Sequence, residues 1–135
     1  MRGKEELGVV VVEKDQEVVN LILNALEDKP CRIRTCSGRV EPLPILREKP
    51  YGLILIGNTD EGDSPFDVMK EIVMASPMTS IILITDLQKK EVHDKAEGYG
   101  ILGHVSRTVP SRDLISLIEQ YEKVSASLSS DHGLL

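Results

Sequence analysis

Short, wholly apolar runs alternate along the chain with longer stretches whose apolar residues recur every three or four positions. Val9-Val10-Val11-Val12 is a run of β-branched residues ended by Glu13-Lys14-Asp15, the pattern of a strand buried on both faces. From Asp15 to Glu27 the period changes. Val18, Leu21, Ile22, Ala25 and Leu26 fall at helical spacing, with Asp15 placed to cap the first turn and Lys29-Pro30 to stop the helix. Cys31 to Cys36 predicts a short strand of alternating pattern, closed by the turn signal Ser37-Gly38. Glu41 to Lys49 carries two early prolines and allows a short or irregular helix at best.

The same alternation continues to the end. Leu53-Ile54-Leu55-Ile56 predicts a second buried strand running into a polar loop from Gly57 to Pro65, and Phe66, Met69, Ile72 and Val73 then return to helical spacing before Ser76-Pro77. Ser80 to Thr85 predicts another apolar strand, and Lys89 to Glu97 a charged, weakly amphipathic helix ended by Gly98 and Gly100. Leu102 to Val105 can form the last strand. Ser111 is placed to cap a final helix whose apolar stripe runs through Leu114, Ile115, Leu117, Ile118, Tyr121 and Val124. Strand and helix thus alternate five times, which calls for a parallel sheet covered by helices on both faces and joined by right-handed crossovers. One domain over residues 1–125 is expected, with a polar, Ser-rich tail over 126–135 that frays.

Composition narrows the function classes. The 135 residues are 41% hydrophobic and 28% charged, the balance of a globular protein that folds without disulfides or metal. A net charge of −6 argues against neutralising a phosphate backbone, which needs clustered Lys and Arg. With no Trp and a single Phe, stacking platforms for nucleic-acid bases have little to be built from, so direct nucleic-acid binding is not expected. No apolar run approaches the ~20 residues of a membrane span, and the start Met1-Arg2-Gly3-Lys4-Glu5-Glu6 leads into too short an apolar stretch for a signal peptide. A cytoplasmic location without membrane contact is the expectation. Cys31 and Cys36 would sit about 16 Å apart on opposite faces of a strand at roughly 3.3 Å per residue, so they are expected as free thiols, and their spacing matches no zinc pattern.

In an open parallel sheet, ligands gather beyond the carboxyl ends of the strands. The residues that fall there are Glu13, Lys14 and Asp15, then Gly57, Asn58 and Thr59, then Thr85 and Asp86, then Ser106 and Arg107. At these positions the sequence resembles the receiver domains of bacterial response regulators, from about Gly8 to Val124. The resemblance implies a flavodoxin-like (βα)5 three-layer sandwich, doubly wound, with strand order 2-1-3-4-5. Of the family's acidic pair after the first strand, Glu13 matches the first acid and Lys14 stands at the second. Tyr51 to Ile56 matches the approach to the phosphorylated aspartate, and Gly57 stands in its place. Thr85 matches the hydroxyl that senses the phosphoryl group, Arg107-Thr108 stands where the family has a lysine before a proline, and His104 takes the aromatic switch position.

These departures have chemical consequences. An acyl phosphate needs a carboxylate nucleophile, and Gly57 supplies none. Mg²⁺ is usually held by one or two carboxylates with phosphate oxygens and water; only Glu13 is left, beside a cationic Lys14, so neither a metal nor a cofactor is expected. Lys14 or Arg107 could pair with Glu13 across the strand ends, fixing the pocket in one state. Constitutive signalling without phosphate and a vestigial pocket both fit that picture. Asp60 and Asp63 lack a strand's rigid positioning as substitute phosphoacceptors and read as part of a solvated turn. His93 is expected to face solvent, His132 falls in the tail, and His104 is expected to be structural. No Ser-His-Asp or Cys-His set stands at the strand ends, so the chain is not expected to be an enzyme.

The expected function is that of a pseudo-receiver: a signalling module, not phosphorylatable at the usual site, that acts through protein–protein contact. A histidine kinase, an output domain or another regulator would be the partner, and a homodimer is left open. In the family the contact surface joins the fourth helix, fifth strand and fifth helix. The alternative is a small-ligand or anion site in the strand-end crevice near Thr85 and Arg107, where Gly57 allows close backbone approach.

Overall fold

A computed structural model describes residues 6–49 and 51–133. Met1 to Glu5, from which the absence of a signal peptide was argued, lies outside the described residues, as do the tail's last two residues and the side chain of His132. The elements follow in the order β1 (Leu7–Val12), α1 (Gln16–Ala25), β2 (Cys31–Cys36), α2 (Pro42–Glu48), β3 (Leu53–Ile56), α3 (Pro65–Ala75), β4 (Ser80–Ile84), α4 (Lys89–Ala96), β5 (Gly103–Val105) and α5 (Ser111–Gly133). The five strands form one parallel sheet in the order β2-β1-β3-β4-β5, the doubly wound arrangement that the alternation and the resemblance implied.

The apolar runs fold as they do because both faces of the sheet are covered. Alternate residues of a strand point to opposite faces. Val10, Val12, Ile54, Ile56, Ile81 and Leu83 meet side chains of α2, α3 and α4 on one face. Val9, Val11, Leu53, Leu55, Ile82 and Ile84 meet α1 and α5 on the other. Val9 to Val12 and Leu53 to Ile56 are all 0% exposed. At about 1.5–3 kcal/mol for each fully buried aliphatic side chain, these two central strands anchor the fold. Their register pairs Val12 with Ile56 and Ile56 with Leu83, so the strand ends, and the loops that follow, are held at one level.

Local signals explain most of the boundaries. Asp15 caps α1 by accepting a hydrogen bond from the Glu17 amide, and Ser64 caps α3 by accepting from the Phe66 amide. Pro42 starts α2 at a position where its missing N–H costs nothing, giving a regular seven-residue helix. Two expectations need correction. Ser111 is the first residue of α5 itself, and α5 continues to Gly133, where a fraying tail was expected after Ser125. From Ser125 to His132 the segment contains no Gly or Pro, and serine costs only a few tenths of a kcal/mol per residue in a helix, so nothing breaks the helix before Gly133. No helix among the described residues is long and apolar enough to cross a membrane.

Cys31 and Cys36 are free and face opposite sides of the sheet, packing with the α1–α5 and α2–α3–α4 layers respectively. Burial, reinforced by the negative charge of Glu41, pushes the Cys36 thiol up to about 12 from its ordinary 9.0; burial also raises Cys31. The folded state therefore keeps the Cys36 proton where the unfolded chain would release it. This contribution is fully present below about pH 9 and is lost as the pH rises toward 12. Wild type is expected to lose stability faster than Cys36→Ala between about pH 8 and pH 10, by at most about 1.4 kcal/mol per pH unit. Urea midpoints of the two proteins at both pH values check this; parallel losses would remove Cys36 from the account.

Candidate functional site

The level strand ends bring four loops together. The Gly57 amide donates to the Val12 carbonyl at 2.8 Å, the Lys14 amide to the Asn58 carbonyl at 2.8 Å, and the Thr85 amide to the Val105 carbonyl at 2.9 Å. The β1 and β3 ends are thus tied to each other, and the start of the β4 loop to the end of β5. Glu13 leaves the end of β1 pointing inward, with its side chain fully buried. Lys14, one residue on, is exposed.

The buried carboxylate of Glu13 accepts four hydrogen bonds. Backbone amides supply two, Asp15 to Oε2 at 2.9 Å and Asn58 to Oε1 at 2.9 Å. Arg107 supplies the other two, Nη1 to Oε1 at 2.7 Å and Nη2 to Oε2 at 2.8 Å. This two-pronged geometry is the strongest form of the carboxylate–guanidinium pair. Removing both charges from water costs several kcal/mol, which only full hydrogen bonding offsets; here each carboxylate oxygen of Glu13 accepts two hydrogen bonds. The hydrogen bonds that it donates to Glu13 hold the Arg107 guanidinium above its ordinary range, against the opposing effect of burial.

Arg107 is aimed by its own loop. Asp86 Oδ1 accepts from the Arg107 amide at 2.9 Å and from Ser106 Oγ at 3.0 Å, and Ser106 Oγ accepts from the amides of Thr108 and Val109. Asp86, Ser106 and Asn58 all belong to the strand-end set found in the sequence. Their work as supports of Arg107 and Glu13 carried no sequence signal, because it depends on how two loops cross.

Gly57 lies beneath this pair. Its backbone is not in the left-handed region, unlike that of Gly62, Gly98 and Gly100, so its conformation does not require glycine. Space does. A β-carbon at Gly57 would land on Glu13 Oε1 and lie 3.2 Å from Arg107 Nη1. The Glu13–Arg107 pair fills the volume that a side chain at position 57 would take.

Of the expected partners for Glu13, the structure selects Arg107 and not Lys14. At the crevice suggested for a small anion near Thr85 and Arg107, the Arg107 guanidinium is engaged by the carboxylate of Glu13. Thr85 is buried, and its Oγ1 accepts from the Leu87 amide at 3.2 Å, shaping the β4–α4 loop. His104 is half-buried on the edge strand β5, in register with Leu83. Since Leu83 and Thr85 are two residues apart, His104 and Thr85 share a face of the sheet. His93 is exposed. Among the described residues no group of three or more His, Cys, Asp or Glu side chains is placed to hold a metal ion, and the one carboxylate at the strand ends that is fully buried is taken by Arg107.

The acidic loop after β3 is more structured than a solvated turn. Ser37 Oγ donates to Asp60 Oδ2 at 2.6 Å, and the Asp60 amide donates to the Ser37 carbonyl. Arg39 pairs with Asp63 at 2.9 Å and with Glu71 at 2.7 Å, and its amide donates to Glu61. The β2–α2 and β3–α3 loops are therefore stitched together.

Comparison with known proteins agrees with this architecture. No curated protein matches the chain. Many solved structures do. The signal receiver domain of an HD domain-containing protein from Pseudomonas fluorescens Pf-5 superimposes with a TM-score of 0.80 at 16% identity, covering 96% of each chain. A CheY-like response regulator receiver domain protein from Methanospirillum hungatei JF-1 gives 0.76 at 15% identity, over 91% of this chain and 99% of that one. NtrX from Brucella abortus gives 0.80 at 16% identity, over 97% of this chain and 30% of that longer one. Identities this low show the shared fold. The family model of the response regulator receiver domain, however, matches residues 9–119, from the first buried strand into the last helix, and on that match the chain belongs to the receiver domain family of two-component signalling.

Proposed function

We propose that this domain is a pseudo-receiver, which signals through protein contact and takes no phosphoryl group at the usual position. The observation that carries this is the Glu13–Arg107 pair, seated where a side chain at position 57 would stand. A phosphorylatable receiver would need a carboxylate there and acids free to share a cation. Here glycine occupies the position and the remaining acid is bound by arginine on both oxygens. Receiver domains work with kinases, output domains or other regulators in signalling, and a partner of this kind is proposed for this chain. The strand ends offer no paired nucleophile and base, so the domain acts by binding and not by catalysis.

The test is an amide NMR titration with Mg²⁺ and beryllofluoride, a mimic of the acyl phosphate. The signals of Glu13, Gly57, Thr85 and Arg107 are expected to stay in place. Saturable shifts at these four residues would mean that the pocket still takes a metal and an anion, and would overturn the proposal.

A further inference from the structure

The ion pair closes the carboxyl end of the sheet, whereas the opposite, amino edge is hollow. A cavity of about 820 Å³ opens there between the starts of β1, β2 and β3 and the side of α5 that carries Tyr121 and Ser125. Pockets that hold small molecules usually measure roughly 300–1,000 Å³, so a ligand of ordinary size fits. Two aromatic rings from opposite layers of the sandwich border it: Tyr51 packs with the α2–α3–α4 layer and Tyr121 with the α1–α5 layer. Tyr51 is held from two sides, by the Arg32 guanidinium 4.8 Å from its ring centre and by Thr79 Oγ1, which donates to the Tyr51 carbonyl at 3.3 Å. Tyr121 reaches over Gly52, where a β-carbon would strike its hydroxyl. Glycine at 52 is therefore what lets the second ring lie along the cavity. Leu46 and Met78 add apolar surface, and Met78 is 90% exposed.

The charged groups at the rim cancel. Arg32, Lys49, Glu6 and Glu122 all border the cavity. Arg32 is already engaged, with its guanidinium over Tyr51, and Glu122 is engaged by Lys29 at 3.1 Å, which leaves one lysine and one carboxylate. A ligand with a net charge would meet both signs there and lose water without a matching gain. Of the hydroxyls, Ser76 Oγ and Thr79 Oγ1 are bonded to each other at 2.7 Å, whereas the Tyr121 hydroxyl has no hydrogen-bond partner among the described residues. We propose that this cavity binds a small, uncharged, planar aromatic molecule, with its ring among Tyr51, Tyr121, Leu46 and Met78 and a hydrogen-bonding group toward the Tyr121 hydroxyl. Aromatic faces and aliphatic side chains supply most of the binding surface, and a single hydroxyl fixes the orientation. The site lies at the end of the sheet remote from Gly57 and stands independently of how the strand-end pocket is read.

The experiment is an amide NMR titration of the full chain with the neutral 1-naphthalenemethanol, set against the anion 1-naphthalenesulfonate and the cation 1-naphthylmethylammonium. Saturable shifts by the alcohol are expected at Gly8, Gly52, Thr79 and Tyr121, with both charged analogues weaker by about threefold or more. Tyr121→Phe, which keeps the ring and whose folding the same spectra check, is expected to weaken the alcohol about threefold, the loss of one modest hydrogen bond. Shifts that never saturate, shifts centred instead on the apolar groove of Leu43 and Met74, a charged analogue that binds as tightly as the alcohol, or equal binding of the alcohol by wild type and Tyr121→Phe would each overturn the proposal.

Discussion

Gly57→Asp is expected to destabilise the domain by about 2–4 kcal/mol and still not to accept a phosphoryl group. The new β-carbon falls on Glu13 Oε1, so Glu13 must leave its four donors or the backbone must shift; overpacking alone costs about 1–3 kcal/mol. The new carboxylate would also face that of Glu13, and like charges at close range add to the cost. Phosphoryl transfer is not gained, because the displaced Glu13 still has the Arg107 guanidinium as its neighbour and position 14 is a lysine, so fixed cations and not Mg²⁺ face the carboxylates. Gly57→Ala, which adds the β-carbon without the charge, should cost less than Gly57→Asp. Urea denaturation together with phosphoryl incorporation from acetyl phosphate checks both halves. A Gly57→Asp protein of wild-type stability that takes up phosphate would mean that Glu13 and Arg107 part easily and that the pair is not what fills the site.

The second large effect is expected at the pair itself. Arg107→Ala leaves Glu13 buried with only the Asp15 and Asn58 amides as partners, and stranding a buried charge in this way costs about 3–5 kcal/mol. The Arg107 side chain is 18% exposed, so water can enter the vacated space and the lower half of that range is expected. A double-mutant cycle with Glu13→Ala should return a coupling of about 1.5–3 kcal/mol, the range of hydrogen bonds to charged groups. Exposed ion pairs return about 0.2–1 kcal/mol. A coupling below about 0.5 kcal/mol would place this pair in the second class, and the strand-end pocket would then be loosely held.

Much of this arrangement was legible in the sequence, and the parts that were not share a cause. The valine and isoleucine runs read directly as buried parallel strands, because a sheet covered on both faces leaves no polar position to break the run. Glu13, Gly57, Thr85 and Arg107 could be placed at one edge because strand ends in a parallel sheet lie together. The choice between Lys14 and Arg107 could not be read as easily, yet it turned on the same alternation: Glu13 points inward at the end of β1 and its neighbour is left facing solvent, while Arg107, ninety-four positions away in sequence, approaches from β5. Spacing along the chain carries no trace of the Asp86 and Ser106 contacts that aim it. Ser111 and the serines after Val124 misled because serine is at home both in caps and, at small cost, inside helices.

The stitching of the β2–α2 and β3–α3 loops reaches further than the loops themselves. Arg39 binds Asp63 and Glu71, Ser37 binds Asp60, and two residues before Asp60 the Asn58 amide holds Glu13. A displacement that begins at the outer edge of the sheet, beside β2, therefore has a continuous set of bonds along which to reach the buried carboxylate. The amides of Gly38, Asn58 and Asp60 are expected to exchange with solvent as one unit, and amide hydrogen exchange at these three positions checks it.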